Sequence, residues 1–353
     1  MESYHFWEDS EYAGPRPSDV ACFWDRRPRQ LRPQPRLNLP KLSFDSGHWI
    51  VPKEAVPQEA HEIATFWNTH YKAASWYFKA TAKTVEAAME RGFILVARVK
   101  SGAIAGTFVC RVLSEVVCGS TATAGLLEGF VIHERYRKQG MGSLLLAYMD
   151  RAVYAKPALK AALLMWFREH DSPTTAVAQL PTTVLRYTFC LIHKLPAPAA
   201  ATAAAAVVTQ VSAEVAARIV SKIYKKHERV LTILSADTTD PDVFWFMAEG
   251  ALIGIADTHR YSLKEDWPFW EVVFAANLNE PYFTDLRRPI EIAARALPST
   301  TGLLFASNSL TRGNMAAGDS NWVVGGGYLS SHVYNWMPPA FFSGDLLFPH
   351  SCL

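Results

Sequence analysis

Between Phe130 and Ser143 the chain reads FVIHERYRKQGMGS: an apolar run, a basic turn, and the start of a helix-spaced segment. The turn has the form R-x-x-G-x-G, made by Arg137, Lys138, Gln139, Gly140, Met141 and Gly142. A diphosphate needs several backbone N–H donors converging on one point, and a glycine-bearing turn that opens a helix supplies them, with the helix dipole adding favourable potential. Gly140 and Gly142 let the backbone come close because no Cβ intervenes, while Arg137 and Lys138 can offset phosphate charge. The stretch is neither a G-x-x-x-x-G-K-[ST] phosphate loop nor a G-x-G-x-x-G dinucleotide fingerprint. Gly325-Gly326-Gly327 precedes an expected strand rather than a helix and makes a poor phosphate cradle. Just upstream of the turn stands Glu128, which at the edge of a core would pair with an arginine.

These residues need a frame. GFILVARV (92–99) and IAGTFVCRVL (104–113) are β-rich runs, and Lys100-Ser101-Gly102 between them reads as a hairpin turn. LLEGFVI (126–132) suits a buried strand, and from Ser143 the apolar spacing of Leu144, Leu145, Tyr148, Met149 and Val153 is helical. Residues 56–91 read as helical, with an aromatic interruption at Ser75–Phe78. The second half repeats the rhythm. A helix is expected at about 212–228, capped by Ser212 but without an acidic fourth residue. Strands are expected at 243–249, 252–261 and 269–278, a helix at about 288–297, and strands at 302–308 and 328–336. The repeated order predicts an α/β fold of two pseudo-duplicated units sharing a mixed, twisted central sheet.

Composition narrows the function classes. Half of the 353 residues are hydrophobic and 19% are charged, with a net charge of +2, which points to no polyanionic partner. The basic residues Arg16, Arg26, Arg27, Arg29, Arg32, Arg36 and Lys41 gather in a proline-rich stretch, read as a strap near an anionic ligand or as a solvated loop. No zinc, homeodomain or RNP pattern accompanies them, so nucleic acid is not an expected partner. Cys22, Cys110, Cys118, Cys190 and Cys352 form no C-x-x-C pair, so no metal site is expected and free thiols in a reducing compartment are. The first residues show no signal-peptide pattern, and no window approaches the roughly 20 apolar residues of a membrane span. The Ala/Pro tract at 197–206 reads as a linker.

The strand–R-x-x-G-x-G–helix order resembles the pyrophosphate signature of GNAT acyltransferases, and the whole chain is similar to the protein N-myristoyltransferase family. Four segments carry the likeness in family order. Tyr4-His5-Phe6-Trp7 looks like the family's Y-x-F-W, with Phe23-Trp24-Asp25 as a competing match. Leu37–Phe44 is similar to its Y-x-L-P-x-G-F-x-W. Glu128–His133 with Arg137–Ser143 is similar to its N-F-L-C-V-H core, and Gly325–Leu329 with Tyr334-Asn335-Trp336 to its G-D-G-x-L and Y-N-W.

The resemblance implies two GNAT-like units, an acyl-CoA half at 46–196 and a peptide half at 207–353, with residues 1–45 strapped over the CoA. It implies direct transfer of a myristoyl group from myristoyl-CoA, a co-substrate rather than a resident cofactor, to an N-terminal glycine, in a monomeric cytoplasmic enzyme. The CoA would be bound by Tyr4, His5, Phe6, Trp7, Phe130, Val131, Ile132, Arg137, Lys138, Gln139, Gly140, Met141, Gly142 and Ser143. Backbone N–H groups of Gly129 and Phe130 would form the oxyanion hole on a bulged strand. The base would be the terminal carboxylate at Leu353, with Glu128, where the family has Asn, as a second candidate. Tyr77, Phe78, Asn277 and Tyr334 would line the peptide groove. The family's Asp in G-D-G is Gly326 here, and its acidic stretch is replaced by the basic or neutral Tyr71–Phe78. A GNAT enzyme using a shorter acyl-CoA and an inactive acyl-CoA-binding homologue remain the alternatives.

Overall fold

The computed structural model describes residues 29–30, 49–117, 121–156, 163–169, 182–195, 207–226, 240–278, 285–299, 301–307, 322–334 and 336–337. The chain enters through β1 (Arg29–Gln30) and β2 (Trp49–Glu54), then α1 (Ala60–His70), the short β3 (Trp76–Phe78) and α2 (Ala82–Glu90). The aromatic interruption of the expected helical region is therefore a strand. Thr81 starts α2 by accepting from the Thr84 amide at 3.2 Å, satisfying one of the helix's orphan donors.

The expected hairpin forms between β4 (Gly92–Val99) and β5 (Ile104–Val117), followed by β6 (Thr121–Ile132) and α3 (Met141–Ala155). At its turn Gly102 takes φ +91° and donates to Val99 O at 2.8 Å. β4 is buried on both faces. Phe93, Leu95 and Ala97 meet Met141, Leu144, Leu145 and Met149 of α3, whereas Ile94 and Val96 meet Ile63, Trp67 and Val85 of α1 and α2. That two-sided burial is why its sequence is a continuous apolar run rather than an alternation.

β7 (Leu163–Glu169), β8 (Thr182–Leu195) and β9 (Val208–Val211) follow, none of which the sequence pattern located. Then come α4 (Ala213–Lys226), β10 (Val243–Ala248), β11 (Ala251–Ser262), β12 (Pro268–Asn277), α5 (Arg287–Ala294), β13 (Gly302–Ser307), β14 (Trp322–Tyr334) and β15 (Trp336–Met337). Ser212 caps α4 through the Val215 amide at 3.3 Å. β14 begins six residues earlier than expected, and Gly325–Gly327 lie inside it, where its register skips from Val324 to Tyr328.

The described strands form a 13-stranded sheet ordered β2-β4-β5-β6-β7-β14-β8-β13-β12-β11-β10-β9, with β3 pairing β11, while β1 pairs β15 separately. Its wiring is duplicated. β6 runs parallel to β7 over three register pairs, and β12 runs parallel to β13 over three. The halves then exchange strands: β8 pairs β13 of the second half, and β14 pairs β7 of the first. The expected mixed sheet of two GNAT-like units is what the chain builds. The Ala/Pro tract at 197–206 and the segment 1–28 lie outside the described residues.

Candidate functional site

The site begins with a miscount between two strands. Val109 of β5 faces Glu128 of β6, and Thr107 faces Val131, so Phe108 is opposed by both Gly129 and Phe130. This is a β-bulge, which takes the amides of the extra residues out of ladder register and turns the strand. Gly129 has φ +58°, and a Cβ there would lie 2.6 Å from Val109 Cγ2, so glycine is required twice over. Phe130 is 42% exposed, with its ring 4.9 Å from Phe108. On its other edge β6 pairs β7 only from Ala124 to Leu126, so the bulge sits where the two parallel strands have parted.

Beyond β6, a short 3-10 turn at Glu134–Tyr136 leads into the basic turn. Tyr136 and Arg137 donate to His133 O and Glu134 O at 2.9 and 3.2 Å, and the first helical bond of α3 runs from Leu144 N to Gly140 O at 3.0 Å. Between these, the amides of Lys138 to Ser143 donate to no backbone acceptor among the described residues. Lys138 (φ +58°) and Gly140 (φ +81°) are left-handed, a backbone alternation that gathers successive N–H groups into a concavity for an anion. Gly142 lets α3 start hard against the bulge: a Cβ there would lie 3.3 Å from both Ile132 Cδ1 and Phe130 Cζ.

Several expected binding residues have other duties in their side chains. Val131 and Met141 are buried in the core, so only their backbone can face a ligand, and the half-buried Ile132 packs against that core. Arg137 Nε donates to Ile132 O at 3.1 Å, and Gln139 Nε2 to Arg135 O at 2.8 Å, both bracing the turn. The sequence reading passed over a brace of another kind. His133 accepts the Arg135 amide at its Nδ1 (3.1 Å) and packs its ring, tilted by 38°, against His70 of α1, with ring centroids 4.2 Å apart. Burial, then the neighbouring His133, lowers the His70 pKa.

Glu128 takes the arginine partner: its Oε2 lies 3.0 Å from Arg111 Nη2. Arg111 also reaches Asp240 of the second half at 3.2 Å, and Arg91 pairs with the same Asp240 oxygen. The carboxylate, with a side chain 35% exposed, therefore stands beside the bulge in an ion-pair network that joins the halves. Tyr77 and Phe78 serve the same junction. They lie on β3, paired with β11, where the Phe78 ring packs 5.1 Å from Tyr71 and the Tyr77 hydroxyl meets Asp266. Asn277 ends β12 opposite Ala251, and Tyr334 ends β14 opposite Leu164 and Thr182. Tyr4–Trp7 and Leu353 lie outside the described residues.

Residues 58–177, which hold the bulge and the turn, match the acetyltransferase (GNAT) family. No curated protein sequence matches the chain. Among solved structures, Saccharomyces cerevisiae N-myristoyltransferase with bound myristoyl-CoA is similar in fold, with TM-score 0.64 and 12% identity over 98% of this chain and 95% of that one. A second structure of that enzyme, with bound myristoyl-CoA and inhibitors, gives TM-score 0.62 at 12% identity over 98% and 92%. A GCN5-related N-acetyltransferase from Kribbella flavida gives 0.48 at 12% identity over 82% and 72%. Residues 58–177 thus resemble the acetyltransferase (GNAT) family, within a fold similar to that of N-myristoyltransferase. No described helix is long and apolar enough to cross a membrane.

Proposed function

We propose that the protein transfers a long-chain acyl group, myristoyl in the first instance, from its CoA thioester to the N-terminal glycine amine of a polypeptide. The observation that carries the reading is the placement of the Gly129–Phe130 bulge directly ahead of a turn whose amides lack backbone acceptors among the described residues. In this reading the CoA diphosphate takes the amides of Lys138 to Ser143, and the pantetheine arm runs where β6 and β7 part. The thioester carbonyl then lies against the Gly129 and Phe130 amides. Those donors stabilise the negative charge that develops on the carbonyl oxygen as the amine attacks. The C–S bond breaks and CoA leaves as thiolate, with no covalent enzyme intermediate. Glu128, held by Arg111, contributes negative charge that favours an ammonium beside the bulge.

A long chain is favoured because the yeast enzyme similar in fold holds myristoyl-CoA. The match of residues 58–177 to the acetyltransferase family supports a second reading, a shorter acyl donor on the same chemistry. Competition among acyl-CoAs of increasing length, with a glycyl peptide as acceptor and mass analysis of the product, separates the two. Myristoylated peptide with little transfer from acetyl-CoA supports the first. Acetyl transfer undiminished by excess myristoyl-CoA replaces it with the second, and no CoA binding at all defeats both.

A further inference from the structure

Where the two halves meet, a second group of ionisable side chains joins the Glu128 network, with no part in the transfer steps above. Its centre is His259 of β11. The strand is irregular there: register skips from Asp257 to Tyr261 while β12 advances only from Trp270 to Pro268. His259 takes φ +55°, a left-handed conformation that a non-glycine residue holds only when its surroundings impose it. They do. Its amide donates to Asp257 Oδ1 at 2.8 Å, its carbonyl accepts from Lys79 N at 2.8 Å, and Thr258 Oγ1 ties the neighbouring residue to Phe269 O at 2.7 Å. The distortion aims the imidazole at Asp242, whose Oδ2 lies 3.1 Å from Nε2, off the hydrogen-bonding line.

Asp242 is wired to the bulge. Its amide donates to Asp240 Oδ1 at 3.0 Å, and the other Asp240 oxygen holds Arg111, which holds Glu128. Burial sorts the members of this chain. Asp240 (8% exposed), Arg111 (15%) and Arg91 (17%) form its interior, whereas Glu128 (35%), Asp242 (30%) and His259 (22%) reach solvent. The His259 Nε2 atom is itself buried, so the exposure of this side chain is carried by its other atoms. Among the described residues of this network, the four carboxylates of Glu128, Asp240, Asp242 and Asp257 outnumber the two guanidinium groups, a balance that suits a cation.

We propose that this junction is the amine subsite, in which Glu128 and Asp242 attract the substrate's ammonium group and His259 takes its proton. The inference rests on the acyl-transfer reading and adds the group that prepares the nucleophile. An ammonium has no lone pair and cannot attack a thioester. Transfer of one N–H proton to the imidazole Nδ1 frees that pair, and Asp242 stabilises the imidazolium formed at the opposite nitrogen. The amine nitrogen bonds to the carbonyl carbon and the C–S bond breaks; the thiolate takes up the second N–H proton as the amide forms, and the imidazolium gives the first to solvent, leaving neutral amide, thiol and imidazole. The electrostatics of the site agree with the geometry. Burial alone would lower the His259 pKa, but Asp242, with Asp257 and Asp240, outweighs it and raises it, so the base form is gained on the alkaline side of the ordinary range.

The test uses His259→Asn, because asparagine tolerates the left-handed backbone at that position, and Asp242→Asn as a second variant. Steady-state rates against pH are read with a glycyl peptide, alongside acyl-CoA affinity. His259→Asn is expected to cost roughly 100-fold in kcat and to remove the limb of the pH profile set by the base. Asp242→Asn should move that limb to lower pH, with acyl-CoA affinity kept in both. A profile and kcat within about twofold of the parent overturn the proposal. A parent protein that transfers no acyl group counts against the acyl-transfer reading, and the subsite is then judged on the free protein. In NMR titration a peptide with a free amine should shift the His259 ring signals, and its N-acetylated form should not. Equal effects of the two peptides, or none, overturn the subsite.

Discussion

The two halves run the same wiring to opposite ends. In each, the third antiparallel strand leaves its parallel neighbour after three register pairs and then bulges, at Gly129–Phe130 in β6 and at Val273 in β12. In the first half the bulge presents a left-handed glycine and an exposed phenylalanine. In the second it is plugged: Val272, Val273 and Phe274 are 1%, 9% and 1% exposed. The helices that follow differ likewise. α3 opens from Gly140 and Gly142, with amides that lack backbone acceptors among the described residues. α5 opens from Asp285-Leu286-Arg287-Arg288-Pro289, where Asp285 Oδ1 already accepts the Arg287 amide at 3.0 Å and Pro289 has no N–H to offer. A bulge and a parting of strands are thus properties of the scaffold. A site also needs empty space at the bulge and amides not already answered by the protein's own carboxylate.

The sharpest way to break this comparison is to exchange the bulges. Gly129→Val should lower kcat by about 10²–10³-fold, the cost of displacing an oxyanion donor. Val273→Gly should leave kcat unchanged and lower the unfolding free energy by about 2 kcal/mol, read from steady-state kinetics and denaturant unfolding. Equal effects on kcat would erase the distinction between the halves. The turns come next. Gly140→Ala forces a side chain into the left-handed region at a cost of about 1–2 kcal/mol. It should weaken acyl-CoA binding roughly tenfold by calorimetry, whereas Asp285→Ala in the second half should change only stability. Glu128→Gln should lower turnover about fivefold while acyl-CoA affinity holds, since the amide keeps the shape but loses the charge. Unchanged turnover would confine Glu128 to its ion pair with Arg111.

The smallest effect is the pH dependence of the junction that joins the halves. His259 has a raised folded-state pKa, so its stabilising contribution is full below the unfolded value of about 6.5 and is lost as pH rises through the folded value. Burial would raise the pKa of Asp242, but His259, Arg91 and Arg111 prevail and lower it. Its contribution is therefore present above about pH 3.9 and lost as pH falls through the folded value. The melting temperature of the parent should exceed that of His259→Asn most between about pH 4 and 6.5, with the difference vanishing in alkali.

Much of the first half was legible because its signals are local. The hairpin at Lys100-Ser101-Gly102, the apolar strand 126–132 and the R-x-x-G-x-G turn are each written in consecutive residues, since glycine positions and apolar periodicity fix backbone conformation nearby. The bulge at Gly129 was anticipated through family resemblance, and the register of β5 against β6 bears it out. What sequence left unread is what depends on distance along the chain. β7 and β8 carry no turn signal that dates their beginning, and their identity as strands is settled by partners that include β14 and β13. Arg111 meets Asp240 across 129 residues, and Arg260 reaches the Tyr71 hydroxyl across 189. The residues by themselves determined which turn could hold an anion. Only the tertiary structure decided which carboxylates and which histidine meet where the halves join, because ion pairs are chosen by the packing of the halves and no local pattern encodes them.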